Sequence, residues 1–146
     1  SITTEEFAFA SLLPVQQDAV LLVCQQPNEE INILIVKNGR LFFSRRLRGF
    51  TQIANKSEDE LSMGVIDALS LEIQRSTDYF ERQLKQAPIK TIEVLLPIDK
   101  EAFLARKLAE NTNVEVRLFV MPVTLEGLRN NAVAVGATQL NFMEPN

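Results

Sequence analysis

The feature that most constrains this chain is an unbroken apolar run from Ala19 to Cys24. A strand that is apolar at every position indicates a central strand covered on both faces of its sheet, because a half-exposed strand alternates apolar with polar residues. The run is far shorter than the ~20 residues needed to cross a bilayer. We therefore expect a fold built around a buried strand, with no direct membrane span.

Two more strands follow this run as hairpins. Ile31 to Lys37 is the second strand, and Arg40 to Leu47 is the third. Asn38-Gly39 separates them, and both residues tolerate the positive φ of the tight turn that joins hairpin strands. The first part of the chain is therefore predicted to be an antiparallel three-stranded meander.

A long amphipathic helix is predicted next. Ser57 and Glu60 form the capping-box pattern that starts a helix. One apolar stripe then continues, and the helix could extend to Gln86, before Pro88. The stripe consists of Ile66, Leu69, Ile73, Phe80 and Leu84.

The rest of the chain alternates strands with helices. The predicted elements are a strand over Ile89 to Pro97, a helix capped by Asp99, a half-exposed strand over Val114 to Met121 with Val120 on its inner face, a short helix over Leu125 to Asn130 and a small-residue helix over Ala132 to Leu140. The order βββαβαβα predicts an α/β fold of the ribonuclease-H-like (actin-like) class. It has a mixed five-stranded sheet with helices on both faces. Residues 1–14 are predicted to be a helical lead-in, 15–142 the domain and 143–146 a tail.

Composition excludes several kinds of chemistry. The chain has no histidine, so it cannot supply a Ser-His-Asp triad or a histidine zinc ligand. Its one cysteine, Cys24, lies in the apolar strand and is interpreted as a core residue. A net charge of −4 disfavours nucleic acid as a partner.

Acidic residues are poorly placed for a metal-dependent nuclease, which needs clustered carboxylates. The middle of the first strand has no acid, and the remaining candidates are Asp18, Glu72 and Glu93. Glu72 is interpreted as a surface or helix-supporting residue, and Glu93 is expected on the exposed side of its strand. We predict no catalytic residue and no metal site, and keep the nuclease as the second alternative.

Nucleotide binding is also disfavoured for this stretch. The turn after the first strand, Gln25 to Glu30, has no glycine, contains a proline and ends in two carboxylates. Phosphate-binding turns instead present backbone amides. We therefore predict no cofactor, and keep as an alternative an ATP-binding half whose site is completed by a missing domain.

Basic residues on and after the third strand leave two interpretations open. They are Arg40, Arg45, Arg46 and Arg48. They could guard a sheet edge, or form a docking patch for an acidic partner segment or for anionic lipid head groups. Phe42 and Phe43 beside them should point to opposite faces. Arg45, Arg46, Arg75 and Tyr79 are the predicted partner contacts, although Arg75, Asp78 and Arg82 could simply pair along their helix.

Four stretches, in order, resemble the PilM family of type IV pilus biogenesis proteins. The likeness is to its MshI-like (MSHA pilus) members in particular, which are related to GspL. The stretches are Ile2 to Ala8, Asn32 to Leu47 with its Asn-Gly-Arg and Phe-Ser-Arg triplets, Glu72 to Phe80 (EIQRSTDYF) and Ala132 to Ala137 (AVAVGA). The resemblance covers nearly the whole chain but only about the second half of the family's protein.

The resemblance implies a cytoplasmic, actin-like scaffold, peripheral to the inner membrane through a membrane-anchored PilN-like partner. Formation of a homodimer is a second possible interaction. Three of the family's nucleotide-binding positions differ here: the turn at Cys24 to Gln26, the segment at Gly49-Phe50 and the segment Leu96 to Asp99. The resemblance therefore gives little support for ATP binding by this chain. ATP binding by the longer parent protein stays an alternative.

Overall fold

The computed structural model of the chain describes residues 18–120. The helices predicted within 3–13, 125–130 and 132–140, the lead-in and the tail lie outside these residues. Strand β1 spans Val20–Gln25, β2 spans Ile31–Lys37 and β3 spans Arg40–Arg46. Strand β4 spans Thr91–Leu95 and β5 spans Glu115–Leu118. Helix α1 is the single turn Glu58–Glu60, α2 spans Ile66–Asp78 and α3 spans Glu101–Glu110.

The five strands form one mixed sheet in the order β3-β2-β1-β4-β5. β1 pairs antiparallel with β2 and parallel with β4, and it is buried at every position. β2 pairs antiparallel with β3, and β4 pairs parallel with β5. The predicted meander, the central position of the apolar strand and the fold class are confirmed.

Both longer helices pack against the same face of the sheet. Leu69 and Ile73 of α2 and Leu104 and Leu108 of α3 share one buried cluster with the β1 and β2 residues of that face. The other face carries a second buried cluster that includes Cys24, as predicted for a core thiol. The helices that the sequence predicts for that second face lie outside the described residues.

The start of the helical region matches its prediction, but the helix is not continuous. The Ser57 hydroxyl accepts from the Glu60 amide at 3.1 Å, and the Glu60 carboxylate accepts from the Ser57 amide at 3.0 Å. Hydrogen bonding of the Glu60 carboxylate to Ser57 lowers the pKa of Glu60. The backbone amide of Ser57 has the larger effect, and the Ser57 side chain the smaller one. A kink follows, because Gly64 has φ +140° and ψ −30°, which no α-helix interior accommodates.

The end of the helical region also differs from the prediction. A wide π-helical turn, Tyr79–Gln83, follows α2. Lys85 then adopts φ +57°, and the Gln86 amide donates to the Phe80 carbonyl at 3.3 Å. This is the left-handed closure that commonly ends helices. The helix therefore ends before Gln86, where local backbone geometry rather than Pro88 stops it.

The prediction that Phe42 and Phe43 point to opposite faces is wrong. The register between β2 and β3 shifts at Ile35/Val36, so the strict alternation of side chains is broken there. Both rings pack against the helix-covered cluster. Phe42 makes an edge contact with the Phe80 ring at 6.0 Å between centroids.

Three details near β4 and β5 also differ from the sequence-based expectation. Strand β5 ends at Leu118, after which Phe119 is buried and Val120 is 82% exposed, the reverse of the predicted faces. Glu93 is buried rather than exposed, because it faces the second cluster of the sheet. Asp99 makes no cap, since α3 begins one residue later, after Lys100.

Candidate functional site

The turn after β1 is held by the side chain of Gln25. This side chain is buried, and its amide nitrogen donates to the carbonyl of Glu29 at 2.7 Å and to the carbonyl of Phe50 at 3.1 Å. The two bonds tie the β1–β2 turn to the segment that follows β3. Asn28, at φ +65°, supplies the left-handed residue that the turn requires.

The backbone amides after β3 already have an anionic partner within the chain. The carboxylate of Glu30 accepts from the Gly49 amide at 2.9 Å and from the Phe50 amide at 2.8 Å. Gly49 has φ +90°, a conformation that favours glycine. Two successive amides on such a turn form a concavity suited to an anion, and here a carboxylate of the protein fills it.

The end of β4 is closed in a similar way. The amide of Leu96 donates to the carboxylate of Glu101 at 2.7 Å, and Glu101 is largely buried at the start of α3. After β3 and β4, at the edge of the sheet where β1 also ends, acidic side chains therefore occupy backbone donors that a phosphate would use. An added phosphate would meet these negative charges.

The edge of the sheet at β3 differs from this end. Arg45 of β3 and Arg75 of α2 both approach the carboxylate of Glu72, at 3.3 and 3.5 Å. The Glu72 side chain is 19% exposed, while Arg45 and Arg75 are 40% and 59% exposed. Both guanidiniums approach the same atom, Oε1 of Glu72. This atom is buried, and neither contact has the geometry of a hydrogen bond. Two cations share one anion, so the group carries a net positive charge.

An aromatic pair, one ring of which is exposed, lies beside these charges. Tyr79 is 46% exposed, and its ring lies 5.5 Å from that of Phe43, centroid to centroid. Phe43 and Arg45 alternate on the same face of β3, and Tyr79 lies four residues after Arg75. We call Phe43, Arg45, Glu72, Arg75 and Tyr79 the β3–α2 patch.

Three of the four predicted partner contacts thus lie in the β3–α2 patch, and the fourth does not. Arg46 points to the opposite face of β3, next to Asn32 in the register. Its guanidinium pairs with Glu29 at 3.1 Å, and both side chains are about half exposed.

The three acidic residues considered for a nuclease are not brought together. Glu72 lies on the helix-covered face, whereas Glu93 lies on the other face, where it pairs with Arg117 at 3.6 Å. Burial raises the pKa of Glu93, and the nearby Arg117 offsets part of that rise. Within residues 18–120, no three His, Cys, Asp or Glu side chains are grouped closely enough to hold a metal ion.

Sequence reasoning missed the partners of Glu30 and Gln25. The sequence indicates that the two carboxylates of the turn disfavour phosphate, but the bonding of Glu30 to the Gly49 and Phe50 amides depends on the β2–β3 register. The bulge in that register has no clear sequence signal. An acid directly before a strand, with a glycine after the neighbouring strand, is the signal that could have suggested the contact.

The sheet order, the parallel β1–β4 pairing and the helix crossovers define the chain as an α/β unit of the actin-like fold. A solved structure described as a PilM-PilN type IV pilus biogenesis complex matches 97% of this chain, with a TM-score of 0.66 and 17% identity. The ethanolamine utilization protein EutJ from Carboxydothermus hydrogenoformans matches 88% of this chain, with a TM-score of 0.55 and 12% identity.

These similarities concern the fold, and the chain spans about half the length of each matched structure, 52% and 53%. No protein-family model and no curated protein sequence matches the chain. Among the helices within residues 18–120, none is long and apolar enough to span a membrane.

Proposed function

We propose that this chain is part of a non-catalytic actin-like scaffold in the assembly platform of a type IV pilus of the MSHA kind. In this proposal it acts in the cytoplasm and reaches the inner membrane by binding a membrane-anchored PilN-like protein. The observation that carries the proposal is the match of nearly the whole chain to half of the structure of a PilM-PilN complex.

The closed end of the sheet supports a scaffold over an ATPase. Glu30 and Glu101 occupy the amides of Gly49, Phe50 and Leu96, and Gln25 fixes the turn after β1. A nucleotide phosphate would have to displace these bonds against carboxylate repulsion. The alternative is an ATP-binding half whose nucleotide site is completed by a missing domain of the parent protein.

The β3–α2 patch is the proposed contact with the partner. Arginine and tyrosine are among the residues most enriched in binding hot spots, and the patch combines two arginines with the exposed Tyr79 ring. Its net positive charge favours an acidic segment of the partner. Because Arg45 and Arg75 share one carboxylate, an incoming carboxylate could take one guanidinium without leaving Glu72 unpaired.

A capture experiment tests the proposal. The full-length parent protein is immobilised, and retention of the PilN-like protein encoded with it is measured. Arg45→Ala and Tyr79→Ala should each reduce affinity about 30-fold or more, as expected of hot-spot residues. Arg46→Ala is the matched control, because it removes the same charge one residue away on the other face of β3.

The outcomes separate the alternatives. Failure of the unaltered parent to retain any PilN-like protein would contradict the proposal. A rise of several degrees in melting temperature with Mg-ATP would favour the ATP-binding alternative, since a ligand stabilises the state that it binds. Binding of the parent to phosphatidylglycerol vesicles without any protein partner would instead assign the arginines to lipid head groups.

A further inference from the structure

A second concave surface lies away from both regions described above. It is a cleft of about 300 Å³ between α2 and the turn that joins α3 to β5. Ile89 and Ile92 at the start of β4 and Val114 before β5 contribute to it, so it lies at the amino ends of these two strands. The closed turn after β1 lies at the opposite end of the sheet.

The floor of this α2–α3 cleft is apolar. Ile73 of α2, Ile92 of β4 and Leu108 of α3 are buried core residues that also line the cleft. Only a small part of each side chain is exposed, so together they present a narrow hydrocarbon surface at the bottom of the cleft. An apolar floor below a polar rim is the usual composition of a binding cleft in proteins.

The rim uses several of its hydrogen-bond donors within the protein. The Asn111 amide nitrogen donates to the Ser70 hydroxyl at 3.0 Å, and the Gln74 amide nitrogen donates to Asp78 at 3.0 Å. The Thr77 hydroxyl donates to the Gln74 carbonyl at 2.9 Å. These bonds engage nitrogens and hydroxyls, whereas the amide oxygens of Asn111 and Gln74 remain able to accept.

The charge of the rim is negative. Glu81 and Glu110 line the cleft, and no lysine or arginine among the described residues does so. Glu110 pairs with Lys107 at 3.6 Å, which lies outside the lining. Glu81 is half-buried. A ligand that brings hydrogen-bond donors and positive charge would complement both the carboxylates and the amide oxygens.

We propose that the α2–α3 cleft binds a lysine- or arginine-bearing segment of a partner protein. The aliphatic stem of such a side chain would lie on the apolar floor, and its ammonium or guanidinium group would lie at Glu81 and the amide oxygens. Long basic side chains combine these two characters. The rim residues Glu110, Asn111 and Asn113 are exposed, so the mouth of the cleft can admit a polypeptide. The charge of this cleft is negative, whereas that of the β3–α2 patch is positive. The inference does not depend on the scaffold proposal.

Binding of two matched peptides tests the inference. One is the peptide Gly-Leu-Arg-Leu-Lys-Gly-amide with fluorescein on its N-terminal amine, and the other carries the same label and Glu at both basic positions. Fluorescence anisotropy on the full chain should detect the basic peptide only, with weaker binding at high salt. Nuclear magnetic resonance should show shifts of the Thr77, Asn111 and Asn113 amides when the basic peptide is added.

Variants of Glu81 distinguish this cleft from general attraction to an acidic protein. Glu81→Gln should weaken the basic peptide about fivefold, the upper range for a partly exposed charge pair. Glu81→Lys should abolish its binding. Asp67→Asn is the control, since it removes a charge from an exposed position on the same helix. Melting temperatures of all three variants should match that of the unaltered chain.

Three results would overturn the inference. They are equal binding of the two peptides, unchanged affinity in Glu81→Gln, and resonance shifts confined to residues outside the cleft. If Glu81→Lys lowers the melting temperature, Glu81→Gln and the resonance shifts still decide the matter. None of these measurements involves a PilN-like protein, so the outcome is separate from that of the capture experiment.

Discussion

The turn after β1 and the β3–α2 patch each contain one partly buried carboxylate, but its partners are backbone amides in the turn and arginine side chains in the patch. In the turn, Glu30 accepts from two backbone amides at 2.9 and 2.8 Å. In the patch, Glu72 lies 3.3 and 3.5 Å from two guanidiniums, and its buried Oε1 makes no hydrogen bond. Both acids sit beside β3, but only the first is bonded to backbone.

The difference determines which region can bind a partner. The amides of Gly49 and Phe50 are fixed in their turn, and another anion could reach them only by displacing both bonds of Glu30 against its negative charge. Guanidiniums on long, partly exposed side chains can change partners by rotating, at little cost to the fold. The closed turn is therefore expected to contribute stability, and the patch to contribute binding.

The largest expected effect on stability distinguishes two adjacent residues, of which Tyr79 belongs to the patch and Phe80 to the core. Phe80 is fully buried, whereas Tyr79 is 46% exposed. Phe80→Ala should lower the free energy of unfolding by about 3–5 kcal/mol, because it leaves a cavity in the core. Tyr79→Ala should lower it by less than about 1 kcal/mol, since only half of that ring leaves water on folding. Urea denaturation measures both, and similar losses would place Tyr79 in the core rather than at a binding surface.

A second prediction concerns the closed turn. Glu30→Ala should cost about 2–3 kcal/mol of stability, because the Gly49 and Phe50 amides lose a charged acceptor. Glu29→Ala is the control from the same turn, and should cost about 0–1 kcal/mol, since the variant removes an exposed side-chain pair with Arg46 and leaves the Glu29 carbonyl in place. Urea midpoints at constant m-value test this. Equal costs for the two variants would contradict the view that backbone bonding closes the turn.

Glu93 provides a third carboxylate with a different environment, and predicts a pH dependence. Burial raises its pKa in the folded state, so its stabilising contribution is present below the unfolded pKa and is lost as the pH rises through the folded one. Glu93→Gln cannot titrate and lacks this loss. The stability of the variant relative to the unaltered chain should therefore rise with pH above about 4 and then level off.

Urea denaturation across that pH range measures the effect. A constant difference between Glu93→Gln and the unaltered chain at every pH would contradict a raised pKa for Glu93.

The sequence was sufficient for most of the fold because its signals are local. The apolar run at 19–24, the Asn38-Gly39 turn and the Ser57–Glu60 cap each act within a few residues, and all three are found in the structure. Gly64 is also a local signal, since an interior glycine lowers the stability of a helix, but the apolar stripe continues past it and alone predicts an unbroken helix.

The candidate sites could be predicted only in part because they depend on register. Residue type predicts Arg45, Arg75 and Tyr79 as contacts, and the structure brings the two arginines together at Glu72 and Tyr79 against Phe43 of the same patch. The bulge at Ile35/Val36 directs both Phe42 and Phe43 toward the helices, which alternation alone cannot predict. The bonds of Glu30 and the lining of the α2–α3 cleft likewise join residues far apart in sequence.

The smallest expected effect on stability is that of Glu72→Gln. This variant tests whether Glu72, unlike Glu30, contributes little to the stability of the fold. The variant keeps the shape of the side chain but removes the charge shared by Arg45 and Arg75. Stability should change by less than about 1 kcal/mol, because both guanidiniums can turn to water. Affinity for an acidic partner segment should rise, since neither arginine is then neutralised internally. A loss above about 2 kcal/mol would show that Glu72, like Glu30, is a structural anion, and the patch would then be a fixed ion-pair network rather than a surface free to exchange partners.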